Sequence, residues 1–416
     1  MIELQEKKER LLLVAAAEGE AEDVDASLDE LEELVKTAVG EAVGRLMQRR
    51  ERPSPISYLG KGKVDELKEL VWETEADGVV ADDELTSDQI KNLEDALDVR
   101  VLDRTGVILD IFAQHATTHE GKIQVELAQL KYRSGRLLGL RSSLSRLGGG
   151  VGISNRGPGE KKLEIDRRKI RERIGQLKEL LAQSEKHRTL LRGHREKSAI
   201  PTVAIVGYTN AGKSTLLNAL TGAGVAAQDK LFATLDPTTR KLELPGGQQV
   251  LVTDTVGFIR KLPHHLVEAF HSTLEEAVDG DIILHVVDAS NPRMESQMHT
   301  VYETLRSLGL KDKPIVTAFN KIDVPEALPA LRDFGADYEV CISAKRGDGL
   351  DKLGEVLETI VRNRRVYVER VFPYAQAGRI QLIRAQGQLV SEEYLPDGIA
   401  VKAYVPAEIY GKVAGA

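Results

Sequence analysis

Residues 207–214 read GYTNAGKS and fit the pattern G-x-x-x-x-G-K-[ST]. A strand-like run, TVAIV, precedes the pattern and a helix-like run, TLLNAL, follows it, which is the context that a phosphate-binding loop requires. Glycines let the backbone N–H groups turn toward phosphate oxygens. Lys213 would place its charge on the outer phosphates, and the Ser214 hydroxyl would bind Mg²⁺. The pattern therefore predicts a site for a nucleoside triphosphate.

A second motif, Asp254-Thr255-Val256-Gly257, follows the strand-like run QVLVT. Asp254 would hold Mg²⁺ through its water shell, and the Gly257 N–H would contact the γ-phosphate. Many GTPases place a glutamine after this motif to orient the attacking water, but the residue here is Phe258. We therefore expect slow intrinsic hydrolysis, with a partner or another group positioning the water. The alternative is that Phe258 only packs.

Two further motifs point to guanine. Asn320-Lys321-Ile322-Asp323 follows the strand-like run PIVTAF. The Asp323 carboxylate can accept hydrogen bonds from guanine N1–H and from the 2-amino group, a pair of donors that adenine lacks. Asn320 can tie this loop to the phosphate loop. Ser343-Ala344-Lys345, after the run YEVCI, can offer a backbone N–H to guanine O6. Four motifs in this order predict hydrolysis of GTP with Mg²⁺.

Other residues near these motifs leave alternatives open. The loop LFATLDPTTR (231–240) contains Thr234, Thr238 and Thr239, and on chemistry alone each is a candidate to complete the Mg²⁺ shell. Asn210 is a candidate ligand for a monovalent cation such as K⁺, the alternative being an asparagine that stabilises the turn. Lys213 and Gly257 are the predicted catalytic groups.

Composition limits the class of protein. The chain has 416 residues, too long for one ordinary core, so we expect two to four domains. Hydrophobic residues make up 42% and charged residues 29%, as in soluble globular proteins, and there is one cysteine, Cys341. Neither a signal peptide nor a membrane span is evident, and we expect a cytoplasmic protein that is monomeric when free.

The charge is unevenly distributed. Residues 122–197 carry 20 Lys/Arg and 8 Asp/Glu, a net charge of +12, within a chain of net charge −8. The remaining residues therefore carry −20. Such a basic segment favours a surface that binds a polyanion. The alternative is a solvated helical face.

The periodicity of apolar residues predicts a mixed α/β protein with four regions. Residues 1–115 alternate strands (11–18, 43–50, 77–83, 99–103) and helices (27–39, 87–97), which indicates a parallel α/β domain. Residues 116–197 form a basic helical hairpin within a helical stretch that starts at 107, with a glycine-rich loop at 148–160 and a second helix over 162–195. Residues 198–363 form a doubly wound α/β nucleotide-binding domain, and residues 364–416 a small α+β domain.

The chain resembles the HflX family of ribosome-associated GTPases over nearly its whole length. The nucleotide motifs GYTNAGKST, LFATLDPTTR, DTVGFI and NKID carry the resemblance, as do LGKGKVDEL (59–67), HATTHEGKIQVELAQLKY and RGPGE…LEIDRR (156–168). The family pattern implies that Thr234 is the Mg²⁺-binding threonine and that 232–236 contacts the nucleotide. With it, the predicted nucleotide contacts are Gly207, Tyr208, Thr209, Asn210, Ala211, Gly212, Lys213, Ser214, Thr215, Phe232, Ala233, Thr234, Leu235, Asp236, Asp254, Thr255, Val256, Gly257, Asn320, Lys321, Ile322, Asp323, Ser343, Ala344 and Lys345.

The resemblance also implies a partner. Family members bind the large ribosomal subunit, with the hairpin reaching ribosomal RNA, and are associated with splitting or rescuing stalled ribosomes under stress. Within the hairpin, Arg156, Arg167, Arg168 and Arg171 are the predicted RNA contacts, each of which is otherwise a solvated helix charge. Two alternatives remain: a nucleotide-driven RNA-remodelling enzyme, for which 60–63 (GKGK) is the only other phosphate-binding candidate, and a GTP-switched RNA-binding assembly factor.

Overall fold

A computed structural model describes residues 8–17, 21–147, 158–197, 200–222, 230–263, 266, 270–310, 312–324 and 331–414. The chain forms two compact units. The first unit comprises Met1–Ser184, Lys230–Leu235 and Lys261–Phe270, and the second unit comprises Glu185–Asp229, Asp236–Arg260 and His271–Ala416. No helix among the described residues is long and apolar enough to cross a membrane.

The first unit begins with a parallel α/β domain, as predicted. Its strands are β1 (Arg10–Ala17), β2 (Glu41–Arg49), β3 (Gly78–Ala81) and β4 (Arg100–Asp103), all parallel and in the order β2-β1-β3-β4. Its helices are α1 (Ala21–Thr37), α2 (Lys61–Thr74), α3 (Ser87–Leu97) and α4 (Arg104–His115).

Side chains just before α3 and α4 cap the first turns of these two helices. The Thr86 hydroxyl accepts a hydrogen bond from the Gln89 N–H, and the Gln89 side chain accepts from the Thr86 N–H, so that a capping box begins α3. Asp103 ends β4, and its carboxylate accepts from the Gly106 N–H at the start of α4. The residues 60–63 lead into the first turn of α2, which begins at Lys61, and do not form a glycine-rich phosphate loop.

The helical stretch predicted to run on from residue 107 is divided, so that prediction of one continuous helix was wrong. Helix α4 ends at His115, and α5 (His119–Leu147) begins after Ala116-Thr117-Thr118. The Thr118 hydroxyl accepts from the Gly121 N–H and caps the new helix. The sequence Thr118-His119-Glu120 carries this capping signal, but the apolar periodicity across it concealed the break.

Helices α5 and α6 (Pro158–Lys197) form the predicted antiparallel hairpin. Leu177 of α6 is buried against Ile123 and Leu127 of α5. Helix α6 begins four residues earlier than the predicted residue 162, because a proline fits the first helical turn, where its missing N–H costs no hydrogen bond. Most of the glycine-rich loop, residues 148–157, lies outside the described residues.

The second unit contains a doubly wound sheet and a small C-terminal sheet, which confirms the predicted fold class. The larger sheet has the order β10-β9-β8-β5-β7-β6, and only β6 is antiparallel to its neighbour. Its elements are β5 (Thr202–Gly207), α7 (Lys213–Thr221), β6 (Thr238–Glu243), β7 (Gln249–Asp254), α8 (His271–Asp279), β8 (Ile282–Asp288), α9 (Met294–Ser307), β9 (Ile315–Asn320), β10 (Tyr338–Cys341) and α10 (Leu350–Asn363).

The C-terminal part forms an antiparallel sheet in the order β11-β13-β12 with two helices, in agreement with the predicted α+β domain. The final helix was not predicted. The elements are β11 (Arg365–Phe372), α11 (Ala377–Gln386), β12 (Gln388–Leu395), β13 (Gly398–Pro406) and α12 (Ala407–Ala414).

Candidate nucleotide site

The phosphate loop leaves β5 and enters α7 through two glycines that no other residue could replace. A Cβ on Gly207, whose φ is 155°, would lie 2.3 Å from the carbonyl oxygen of Val286. A Cβ on Gly212, whose φ is 93°, would lie 2.3 Å from Nδ2 of Asn320. Asn210 also has a left-handed backbone, with φ of 60°, and its side chain is exposed. The backbone of the loop can therefore curl before α7 begins at Lys213, where helical N–H groups favour anions.

The Lys213 side chain reaches back into the phosphate loop. Its ammonium donates to the carbonyl oxygens of Tyr208, at 2.8 Å, and Gly207, at 3.2 Å. Burial lowers the pKa of Lys213 to about 8, although the charge of Asp254 opposes this effect. A cation buried in this way has lost hydration, so a phosphate that approached it would find a strong electrostatic partner.

Two of the three predicted metal ligands lie together. The Ser214 hydroxyl donates to Oδ2 of Asp254 at 2.6 Å, and Asp254 is fully buried at the end of β7. A hydroxyl beside a carboxylate is the kind of hard oxygen donor set that Mg²⁺ prefers, so these residues fit that ion. Among the described residues there is no group of three or more His, Cys, Asp or Glu side chains that would hold a metal without a substrate.

The threonine predicted to complete the metal shell belongs to the other unit. Phe232, Ala233, Thr234 and Leu235 cluster with the first unit, whereas Asp236 belongs to the second. The role of Thr234 therefore stays a prediction. The two alternative threonines, Thr238 and Thr239, lie in β6, where the sequence predicted the end of the loop. The Thr239 hydroxyl is 2.9 Å from the Thr253 hydroxyl.

Gly257 lies directly against the phosphate loop. Its backbone leaves so little room that a Cβ would be 2.9 Å from Cα of Thr209 and 3.0 Å from Nζ of Lys213. The next residue pairs with the loop, because the Thr209 N–H donates to the Phe258 carbonyl oxygen at 2.8 Å and the Phe258 N–H donates to Gly207 at 3.1 Å. The Phe258 side chain is fully buried.

The motif DTVG is also held from within the sheet. The Thr255 hydroxyl donates to the carbonyl oxygen of Ile205 at 2.7 Å, and Val256 is buried. The Tyr208 hydroxyl accepts from the Arg260 N–H at 2.9 Å. These bonds fix the backbone on either side of Gly257.

Asn320 joins the phosphate loop to the loop predicted to bind the base. Its Nδ2 donates to the Ala211 carbonyl oxygen at 2.9 Å, and its Oδ1 accepts from the Ala344 N–H at 2.9 Å. One side chain at the end of β9 therefore sets the distance between both loops.

The carboxylate predicted to select guanine is already oriented. Asp323 accepts from the Ser343 hydroxyl at 2.7 Å, and this bond, helped by Arg346 at 3.6 Å, holds the pKa of Asp323 below its ordinary value. Asp323 is therefore charged at neutral pH. A charged carboxylate can accept both edge donors of guanine.

Sequence reasoning missed two residues around this loop, Asp288 and Asp348. Lys321, whose φ is 63°, donates to Oδ2 of Asp288 at 2.6 Å. The Ser343 N–H donates to the carbonyl oxygen of Asp348 at 2.9 Å. Asp288 ends β8, so its place at the carboxyl end of a neighbouring parallel strand was a usable signal.

The hairpin presents a subset of the predicted RNA contacts. Arg168 and Arg171 are exposed, and Arg168 lies 3.8 Å from Glu172. Arg167 is only 8% exposed, so the prediction that it contacts RNA is not supported by its position. Arg156 lies outside the described residues. Arg173 makes two hydrogen bonds with Glu126 of α5, at 2.7 and 2.9 Å, and holds the two helices together.

Family models and a known protein match the chain over most or all of its length. Three family models match it: GTP-binding GTPase N-terminal over residues 25–113, GTP-binding GTPase Middle Region over 115–195, and 50S ribosome-binding GTPase over 202–321. A protein of Lacrimispora saccharolytica named GTPase HflX is 64% identical over 414 residues, covering 100% of this chain and 97% of the relative.

Two further relatives and one solved structure match much of the chain. Proteins named GTPase HflX from Caldanaerobacter subterraneus and Escherichia coli are 51% and 42% identical, covering 98% and 91% of this chain and 94% and 89% of the relatives. The crystal structure of a GTP-binding protein from Sulfolobus solfataricus in complex with GDP is 23% identical, with a TM-score of 0.44, and covers 85% of this chain and 99% of that chain.

Proposed function

We propose that this chain, which belongs to the HflX family of P-loop GTPases, binds the large ribosomal subunit and couples GTP hydrolysis to the splitting or rescue of stalled ribosomes. The observation that carries this proposal is the combination of a built nucleotide site with a basic hairpin on one chain. The model that matches residues 202–321 describes a 50S ribosome-binding GTPase, and it supports the same partner. A protein acting on ribosomes would work in the cytoplasm.

Each residue of the nucleotide site has a proposed role. Lys213 neutralises the outer phosphates, and the Gly257 N–H donates to the γ-phosphate. Ser214, Asp254 and Thr234 would hold Mg²⁺, which neutralises charge that develops on the β- and γ-oxygens. Asp323 selects guanine, because an unpaired carboxylate would be left facing adenine.

The hairpin is proposed to bind ribosomal RNA through its charge. Its exposed arginines and lysines can neutralise phosphates, and that contribution is electrostatic and falls steeply with salt concentration. The glycine-rich loop at its tip would be the end nearest the RNA. Because the side chain of Phe258 is buried, the group that orients the attacking water is proposed to come from the ribosome-bound state.

One experiment tests the proposal as a whole. GTP turnover is measured with and without purified large ribosomal subunits, together with co-sedimentation in the presence of a non-hydrolysable GTP analogue. We expect the subunits to increase turnover by about a thousandfold or more, since a catalytic group supplied in trans is worth about 10³–10⁵ in kcat. No stimulation together with no co-sedimentation would refute the ribosomal role and leave the nucleotide site intact.

A double charge reversal in the hairpin, with a charge-reversal control elsewhere, tests where RNA binds. The double variant Arg168→Glu/Arg171→Glu changes two exposed residues of α6. We expect it to weaken co-sedimentation and to flatten the dependence of binding on salt, because each lost phosphate contact reduces the slope by about one. Arg306→Glu, on the exposed face of α9, is the control and should bind normally.

Remodelling of RNA through a second nucleotide site in the N-terminal domain has less support. The only local candidate, at residues 60–63, forms the start of α2, and Lys63 donates to Glu66 at 2.8 Å. A GTP-switched assembly factor would bind large subunits without faster turnover, so the same experiment separates it from the main proposal.

A further inference from the structure

The parallel ladder between β5 and β7 has one extra residue on the side of the motif DTVG. Ile205 pairs with Asp254, and a further parallel bridge pairs Tyr208 with Phe258. Two residues of the first segment therefore stand opposite three residues, 255–257, of the second. A bulge of this kind takes a peptide group out of the ladder, and bulges are common next to active sites. Here the bulge contains the predicted γ-phosphate contact.

Both ends of this bulge are fixed by hydrogen bonds to β5 and to the phosphate loop. At its start, the Thr255 hydroxyl donates to the carbonyl oxygen of Ile205 at 2.7 Å. At its end, the Thr209 N–H donates to the Phe258 carbonyl oxygen at 2.8 Å, and the Phe258 N–H donates to the carbonyl oxygen of Gly207 at 3.1 Å. The bonds at the end join backbone groups only, so they do not depend on which side chain residue 258 carries.

A tyrosine side chain extends this attachment beyond the bulge. The Tyr208 hydroxyl accepts from the Arg260 N–H at 2.9 Å, and Tyr208 is only 5% exposed. The backbone around Tyr208 thus holds Phe258, and its side chain holds Arg260. Phenylalanine at position 208 would occupy the same space and would lose this hydrogen bond alone. The contribution of the hydroxyl can therefore be measured separately from that of the ring.

The bulge lies directly against the groups that would bind the outer phosphates. A Cβ on Gly257 would be 2.9 Å from Cα of Thr209 and 3.0 Å from Nζ of Lys213. Donors stabilise a transition state when they are held in place before the reaction begins. Protein N–H···O bonds span about 2.7–3.2 Å and weaken steeply at angles below about 120°. Small movements of Gly257 would therefore change the rate of hydrolysis.

Tyr208 contacts the phosphate loop through its backbone only. Its carbonyl oxygen accepts from the Lys213 ammonium at 2.8 Å and from the Ala211 N–H at 3.3 Å. Removing the hydroxyl would leave both of these contacts in place. A nucleotide without a γ-phosphate should therefore bind as before when the hydroxyl is lost.

We propose that Tyr208 is a positioning residue for GTP hydrolysis, whose hydroxyl holds the segment 258–260 on the phosphate loop and so keeps the Gly257 N–H at the γ-phosphate. Tyr208 acts on the reaction through Gly257. The inference rests on the proposed role of Gly257 in the nucleotide site. It deepens that role by assigning a function to the second residue of the phosphate-loop motif.

The test uses the full chain without ribosomal subunits and measures the rate of hydrolysis at saturating GTP and the affinity for a fluorescent GDP analogue. We expect Tyr208→Phe to slow hydrolysis about three- to tenfold, the effect of losing one neutral hydrogen bond, and to leave GDP affinity unchanged. Tyr302→Phe, on α9, is the matched control. It removes the hydrogen bond from a partly buried hydroxyl to Asp333, at 2.7 Å, and should change neither quantity.

A double variant tests whether Tyr208 acts through Gly257. The variant Gly257→Ala/Tyr208→Phe should hydrolyse GTP no more slowly than Gly257→Ala, because two changes that remove one interaction are not additive. Fully additive effects would overturn the inference, as would an unchanged rate in Tyr208→Phe. A loss of GDP affinity as large as the loss of rate would make Tyr208 a nucleotide contact and would overturn it too.

The same measurements distinguish this inference from the proposed function. A normal rate in Gly257→Ala would refute the proposed contact with the γ-phosphate, and the inference with it. A normal rate in Tyr208→Phe beside a slow Gly257→Ala would refute the inference alone. Ribosomal subunits are absent from this assay, so failure of the ribosomal role leaves both results readable.

Discussion

The pKa of Lys213 predicts how nucleotide affinity depends on pH. Burial lowers the pKa of its ammonium to about 8, so the free protein loses this positive charge within an accessible pH range. A bound phosphate chain stabilises the charged form and raises that pKa. Binding therefore takes up a proton when the pH exceeds about 8, and affinity must fall as the pH rises further.

The size of the effect follows from this pKa. With a pKa of about 8 in the free protein and a much higher one in the complex, affinity for nucleotide changes little up to pH 7. It then falls about twofold by pH 8 and about tenfold by pH 9, which corresponds to about 1.4 kcal/mol. Without the effect of burial, the ordinary pKa of lysine would leave affinity unchanged over this range.

The assay is a titration with a fluorescent GDP analogue from pH 6.5 to 9.5, on the wild type and on Lys213→Arg. Arginine stays charged throughout, so its affinity should not show the loss, whatever its absolute value. Ionisation of guanine and of other protein groups affects both proteins equally, and the ratio of their affinities removes it. Equal slopes for the two proteins would refute the argument that burial of Lys213 controls its charge.

Four other substitutions test the rest of the site. Gly257→Ala should retain GDP but lose about a hundredfold in GTP turnover, because its methyl group would be pressed against Thr209 and Lys213; normal turnover would contradict the proposed contact of this N–H with the γ-phosphate. Asp323→Asn can still accept the Ser343 hydrogen bond, yet it should weaken GTP binding about 10³-fold and favour XTP in competition assays, whereas an unaltered preference for GTP would remove Asp323 from base selection. If Asn210 binds a monovalent cation, turnover will be faster in KCl than in NaCl for the wild type and equal for Asn210→Ala; equal wild-type rates would dispose of the cation. Phe258→Gln buries an amide in place of a ring, so it should lower the free energy of unfolding by about 1–3 kcal/mol, measured by urea denaturation, without raising turnover. Faster turnover would show that the side chain at this position reaches the water.

The nucleotide motifs could be predicted because each one is local. The loop after β5 needs Gly207 and Gly212 for its backbone, and Asn320 must be an amide because it donates to one loop and accepts from another. Parallel strands bring their carboxyl ends to one edge of a sheet, so the order of motifs along the chain already implied their proximity. The α/β class could also be predicted, because the alternation of strands and helices is a local pattern in the sequence.

Features that depend on tertiary contacts were missed or misplaced. Strand β6 is short and half-exposed, and it pairs antiparallel with β7, so its threonines could not be distinguished from loop residues by composition. Arg167 has the same charge and spacing as exposed arginines of α6, and only packing shows that it is buried. The attachment of 230–235 and 261–270 to the first unit depends on contacts between residues more than 100 positions apart, which no pattern in the sequence records.

The position of Phe258 bears on how the attacking water is oriented. Its backbone N–H and carbonyl oxygen both pair with the phosphate loop, and its ring is fully buried. The ring carries no hydrogen-bonding group, so Phe258 cannot orient a water molecule. We therefore expect the group that orients the water to come from another segment or from a partner.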